Sequence, residues 1–468
     1  MAEQIATTPT PDALDPRPML EGAPEDRALT EHLLAPVQEP MRPGWRRLLR
    51  LGGLGVALLL FAIAVTVFVG IGTWGVNIPV AWAFAITNFV WWIGIGHAGT
   101  LISAILFLFQ QRWRNSINRI AEAMTIFAVM NAGLFPLLHL GRPWYFYWLF
   151  PYPATTRIWP QFKSPLTWDV FAVSTYFTVS VLFWYVGLIP DLAALRDLAT
   201  TRRRRFIYGI ACLGWQGSSR HWHHYRIAYL LLAGLATPLV LSVHTIVSFD
   251  FAVSVMPGWH ELIFPPYFVA GAIFSGFAMV MVLVIPIRRI YRLQAVITER
   301  HIEAMNKLIL ATSWMVAYGY ITENFMAWYS GNRYGIFTYW HNQETSSPLM
   351  WLFWPLLLLN WILPQLLWWK GARTSELASF AVAVGVLIGM WLERFVLILR
   401  GINRDYLPRS WGSYTPTWVD WSLLAGTLGF FLFNFMLFLR CVPPVPVSEL
   451  KELREEIAEK RELLAEKG

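Results

Sequence analysis

The sequence predicts an all-α integral membrane protein of about ten transmembrane helices, and three observations carry that expectation. Of its 468 residues, 56% are hydrophobic and only 14% charged, where a soluble domain carries roughly a quarter charged residues. The apolar residues gather into runs of about 20, the length a helix needs to cross ~30 Å of hydrocarbon. The 26 tryptophans fit belts at the two membrane interfaces. The net charge of +8 sits in the connections between apolar runs, so it reports topology and no nucleic-acid partner is expected.

Residues 1–45 read as a cytoplasmic N-terminal arm. Its Pro, Ala and scattered acids (Asp12, Asp15, Glu21, Glu25, Asp26) lack the basic flank and apolar stretch of a signal peptide, which favours a disordered or partner-bound segment. Spans are expected at 50–74, 80–109, 117–140, 166–188, 226–255, 262–287, 303–329, 348–369, 375–399 and 417–440. They divide the chain into a first helix (46–79), a four-helix bundle (80–256), a second bundle (257–400), an outer loop with the last helix (401–446) and a C-terminal helix (447–468). The segment 189–224, with Arg202 to Arg205, Trp215 and Trp222, reads as interfacial. The charged tail carries Leu450, Leu453, Ile457 and Leu464 on one stripe, as a solvated helix or one that docks on a partner subunit.

With the N-terminus inside, the inner connections hold 20 Lys and Arg and the outer ones 7. That bias orients the protein, and an even number of spans returns the C-terminus to the cytoplasm.

The two bundles share short matches in the same order. Ala98-Gly99-Thr100-Leu101-Ile102-Ser103 is echoed by Ala270-Gly271-Ala272-Ile273-Phe274-Ser275, 172 residues later. Glu122-Ala123-Met124 returns at Glu303-Ala304-Met305, and Ser164-Pro165-Leu166-Thr167-Trp168 at Ser347-Pro348-Leu349-Met350-Trp351. Four helices per copy make a parallel repeat, related by an axis along the membrane normal.

Ionisable groups inside spans are costly and are the first functional candidates. His139 ends the third span and Asp169 begins the fourth, joined by an aromatic loop at 143–164. At the repeat-equivalent positions stand Tyr320 and Leu352, so one bundle has the His/Asp pair and the other lacks it. Oxidising a quinol releases two protons and two electrons, which suits a neutral imidazole and a carboxylate as proton acceptors. Arg142, Trp144, Tyr145 and Trp168 are candidates to bind the ring. The bland alternative is that His139 and Asp169 merely cap their helices. Deeper lie His97, His244, Asp250, Glu323, Glu393 and Arg394, of which the first four are candidates for proton transfer; the alternative is a set of static paired charges, with Glu393 and Arg394 answering residues on other helices. A haem between His97 and His244 competes with that use. His221, His223 and His224 read as interfacial anchors rather than a metal site, and the two cysteines, Cys212 and Cys441, are too few to hold an iron–sulfur cluster.

At His139-Leu140-Gly141-Arg142-Pro143, with Ser164-Pro165 and Trp168-Asp169 downstream, the sequence resembles the NrfD/polysulfide-reductase membrane-anchor family. The resemblance covers spans 2–9 and implies a haem-free helical subunit of a quinol:acceptor oxidoreductase. Its quinone would lie near the outer face of the first bundle, at His139 and Asp169, and its electrons would pass to an iron–sulfur subunit on the periplasmic side. The length, ten spans and long arm look most like the larger NrfD-like subunit (ActC-type) of bacterial alternative complex III. That likeness implies menaquinol as substrate, multihaem cytochromes c and a second NrfD-like membrane subunit as partners, proton translocation, and the bacterial inner membrane as location. The alternatives are the quinone-coupled anchor of a polysulfide or molybdopterin-type reductase, a secondary transporter, or a purely structural anchor. A transporter calls for matched breaks in the two halves, and Pro238 and Pro286 provide no such match.

Overall fold

The computed structural model describes residues 19–20, 26–38, 40–41, 43–150, 164–341 and 349–465. Residues 1–18 of the arm, Arg157 and Lys163, and Ser347-Pro348 of the repeat match lie outside the described residues. The described chain is helical throughout: α1 (Asp26–Gln38), α2 (Pro43–Val69), α3 (Phe84–Thr100), α4 (Asn118–His139), α5 (Pro165–Asp197), α6 (Arg202–Ala211) and α7 (Ser219–Ala252). There follow α8 (Phe264–Ile290), α9 (Glu299–Tyr329), α10 (Arg333–His341), α11 (Met350–Leu357), α12 (Glu376–Asn403), α13 (Trp418–Cys441) and α14 (Val447–Ala465).

Among the described residues, nine helices are long and apolar enough to cross a membrane. They are α2 to α5, α7, α8, α12, α13 and the run Trp351–Trp368 that begins in α11. This is a multi-pass membrane protein. The tenth expected span is α9, a helix of 31 residues. Its length is ample, but Ser313, Tyr318, Tyr320, Thr322 and Glu323 dilute its middle below the apolarity of the others.

α3 is the hub, and every residue in it is buried. A helix can be enclosed on all sides when small residues let its neighbours approach. A Cβ on Gly99 would stand 2.1 Å from the Ala121 carbonyl oxygen of α4, and one on Gly276 of α8 would stand 2.4 Å from Ala98 Cβ. α3, α4, α5 and α7 close a ring of neighbours; α8, α9, the α11 run and α12 close another, and α3 and α7 pack on α8 between them. α2 lies outside, packed along α13.

Several local expectations change. The segment read as interfacial, 189–224, is divided: α5 runs on to Asp197, α7 starts at Ser219, and α6 alone lies between. Pro238 and Pro286 sit inside continuous helices. The irregular turns are instead the wide five-residue loops of helix at Leu101–Ile105, after α3, and Leu358–Ile362, after α11. Those two positions do not correspond in the proposed repeat. Part of the arm is neither disordered nor solvated, since α1 buries Leu29, Leu33, Leu34 and Val37 and packs on α13 and α14. The spacing of those four residues makes one apolar face.

The C-terminal helix is not a free tail either. Leu450 and Leu453 are buried, and Glu449 reaches the first ring at the start of α4. Its carboxylate meets Arg114 at 3.1 Å and accepts from Asn118 Nδ2 at 3.1 Å. The Val447 N–H donates to Asp191 at 3.3 Å, and Asp191 pairs with Arg119 at 3.0 Å. Buried charges persist only when paired, and here each side of the joint supplies the other's partner.

Candidate functional site

The end of the first ring opposite the C-terminal helix brings together the end of α4, the start of α5 and the end of α7. His139, the last residue of α4, is half-buried, and its Nε2 lies 3.2 Å from the Ala81 carbonyl oxygen. Its ring lies 6.1 Å from that of Trp74 and edge-on to Trp82 at 6.3 Å. Trp82 in turn stands edge-on to Phe251 at 6.0 Å and 5.7 Å from Trp259. Trp74 and Trp82 both come from the α2–α3 connection, which folds over this end.

Asp169 is buried in the second turn of α5, and its carboxyl group faces that of Asp250 on α7. The Oδ1 of each is buried with no hydrogen-bond partner among the described residues. Next door Trp168 stands edge-on to Phe249 at 6.3 Å, so two successive residues of α5 face two of α7. Asp169 does not cap α5: the cap position is Ser164, which makes no side-chain capping bond.

His139 and Asp169 are therefore on one end of the ring but make no hydrogen bond with each other; His139 neighbours Trp82, whose ring meets Phe251. Arg142 and Trp144 are exposed on the loop after α4, and Tyr145 packs 6.3 Å from Trp144 and 6.2 Å from Tyr147. Sequence reasoning missed Trp74, Trp82 and the partnership of Asp250 with Asp169. The signal available for the last was that both acids lie near helix ends on the same side of the membrane.

The deeper candidates separate into distinct places. His97 and His244 meet edge to face with 4.6 Å between ring centroids, leaving no interval for a planar macrocycle between them. His97 also stacks on Tyr176 at 5.4 Å, and its Nδ1 lies 2.7 Å from the Ile93 carbonyl oxygen. Both ring nitrogens of His244 are without a hydrogen-bond partner among the described residues. Asp250 belongs to the carboxyl pair. Glu323 is held by Arg400 at 3.6 Å, whose Nη2 donates to the Gly258 carbonyl at 3.2 Å and to the Tyr339 hydroxyl at 2.9 Å. Between these places, Glu393 pairs with Arg394 at 3.1 Å and accepts from the Tyr320 hydroxyl. Asn360 donates to Tyr320 at 2.8 Å and to Glu393 at 3.2 Å. Arg394 lies over the Phe268 ring at 4.1 Å, and that ring lies 5.8 Å from His244.

Among the described residues no group of three or more His, Cys, Asp or Glu is arranged to hold a metal ion. His221 instead packs 5.3 Å from Trp215 and accepts from the Gln216 N–H at 3.2 Å. Cys212 and Cys441 are both free thiols.

Two rings of membrane-length helices, with acids and imidazoles buried inside them, make this a polytopic membrane protein. The chain belongs to the polysulphide reductase NrfD family, whose model matches residues 74–404. It is 24% identical over 432 residues to the putative dimethyl sulfoxide reductase membrane subunit of Halobacterium salinarum, covering 84% of this chain and 91% of that protein. It is 20% identical over 385 residues to a selenate reductase subunit of Mesobacillus selenatarsenatis, covering 78% and 86%.

Proposed function

We propose that this chain is the quinone-coupled membrane subunit of a respiratory reductase complex, taking electrons from quinol at the outer end of the first ring. The relatives favour this reading over the alternative complex III type, because both carry the names of reductase subunits, for dimethyl sulfoxide and for selenate. The observation that carries the site is the Asp169–Asp250 carboxyl pair beside the His139–Trp82 edge.

The chemistry follows from the groups. A quinol bound there gives up two protons and two electrons. His139 accepts one hydroxyl proton and the Asp169–Asp250 carboxyl pair accepts the other. The two electrons leave to an iron–sulfur cluster in a partner protein on the outer face, and from there to the terminal acceptor. Trp82, Trp168 and the loop carrying Arg142, Trp144 and Tyr145 offer flat apolar surface and one cation for the ring and its oxygen. His97, His244 and Glu323 remain proton-transfer candidates, with Glu393, Tyr320 and Arg394 as the groups lying between them.

Two experiments test the reading. In the purified complex, His139→Ala and Asp169→Asn each abolish quinol-dependent reduction of the partner, and wild-type turnover in both variants removes the pocket. Native purification identifies the assembly: an iron–sulfur subunit with a reductase supports the proposal, whereas multihaem cytochromes c restore the alternative complex III reading.

A further inference from the structure

We propose that α6 is a binding site for anionic phospholipid, in the leaflet on the side of the chain termini. Four consecutive arginines, Arg202 to Arg205, open this helix of 10 residues, whose start is capped by Thr201 accepting from the Arg204 N–H at 3.3 Å. Arg202, Arg203 and Arg205 are exposed. Among the described residues no carboxylate pairs with any of the four. Other arginines on the same side do have one: Arg112 pairs with Glu456, Arg196 with Asp197 and Arg226 with Glu452, at 3.0, 2.8 and 3.2 Å. Among the described residues, four cations without a paired carboxylate therefore stand together beside helices that supply their own anions.

The same helix turns apolar side chains away from the protein. Phe206, Ile207 and Ile210 are 67%, 50% and 60% exposed, and Leu213 just beyond is 69% exposed. Arg203 lies three, four and seven residues before the first three, hence on the same helical face. Its level is fixed: Tyr208 of α6 donates to the Cys441 carbonyl at 3.0 Å, and Tyr185 of α5 donates to the Ala211 carbonyl at 2.6 Å. These contacts pin α6 beside the ends of α5 and α13, at the boundary between hydrocarbon and headgroups. A soluble polyanion would satisfy the arginines and leave the aromatic and aliphatic face in water. A phospholipid satisfies both, its phosphate on the guanidinium groups and its acyl chains along Phe206 and Ile210.

The test uses the full chain with its partner subunits, transferred from nanodiscs of mixed phosphatidylglycerol and phosphatidylcholine, with retained lipids counted by native mass spectrometry. Wild type is expected to retain phosphatidylglycerol in preference. The combined Arg202→Gln, Arg203→Gln and Arg205→Gln variant loses that preference, by about fivefold per arginine. The same three positions changed to Lys keep it. If the triple Gln variant fails to assemble, the exposed single change Arg203→Gln carries the same expectation of about fivefold. Equal retention of the two lipids by wild type, or an undiminished preference in the Gln variants, overturns the proposal. So does loss of an acidic protein partner from the Gln variants with lipid retention unchanged.

Discussion

At the scale of single residues, Asp250 changes role most. Its place late in α7, six residues beyond His244, suggested a wire through the membrane; its side chain turns instead to Asp169. An Asn at 250 can hydrogen-bond Asp169 but holds no exchangeable carboxyl proton. Asp250→Asn is therefore expected to lower quinol-dependent turnover about 10²-fold while leaving the complex assembled; stopped-flow reduction of the partner cluster is the measurement. On the loop before α8, burial raises the Glu261 carboxyl above the ordinary glutamate range, partly offset by the Arg400 guanidinium, the Tyr339 hydroxyl and His260. The folded state thus prefers the neutral acid. Its contribution to stability is complete below the ordinary value of about 4.3 and is lost as pH rises through the raised one. Thermal unfolding of wild type should weaken across that window more steeply than that of Glu261→Gln. Equal slopes for the two proteins would count against it.

At the scale of elements, hydropathy located the nine helices among the described residues that are long and apolar enough to cross a membrane, because the cost of leaving backbone or charge in hydrocarbon is paid locally, residue by residue. It misjudged the ends of α5 and α7, where polar residues continue a helix beyond the apolar run, and it had no access to which faces touch. Close approach decides that. A Cβ on Gly55 of α2 would come 2.5 Å from the Gly429 Cα of α13, so these two helices meet backbone to backbone. Gly55→Leu should push them apart and destabilise the pair by about 3 kcal/mol or more, read as a lowered unfolding temperature in detergent. Gly53→Leu, where only the Phe433 ring edge comes within 4.0 Å, is the control expected to change little.

At the scale of the whole molecule, the termini close one end of the first ring. Removing residues 447–468 uncovers Arg114, Arg119 and Asp191 together, and Glu449→Ala alone leaves Arg114 without its closest carboxylate. The single change is expected to cost about 3 kcal/mol, and the truncation more, both by thermal unfolding of the intact complex. Orientation is tested through the cysteines, since Cys441 is exposed at the end of α13 and Cys212 is buried. With the termini inside, a membrane-impermeant maleimide labels Cys441 in inside-out vesicles and not in right-side-out ones. The reverse pattern would invert the proposed topology and move the quinol site to the wrong face for its partner.

The sequence by itself determined the membrane class, the number and order of the long helices, and the residues worth suspecting, His139 and Asp169 among them. Those follow from local costs: apolar length against bilayer thickness, and charge against hydrocarbon. Only the tertiary structure decided that Asp169 faces Asp250, that Trp82 stands beside His139, that His97 touches His244, and that Glu449 pairs with Arg114 at the start of the first ring. Such pairings join residues from different helices, and helix rotation and tilt are set by side-chain packing that no hydropathy window contains.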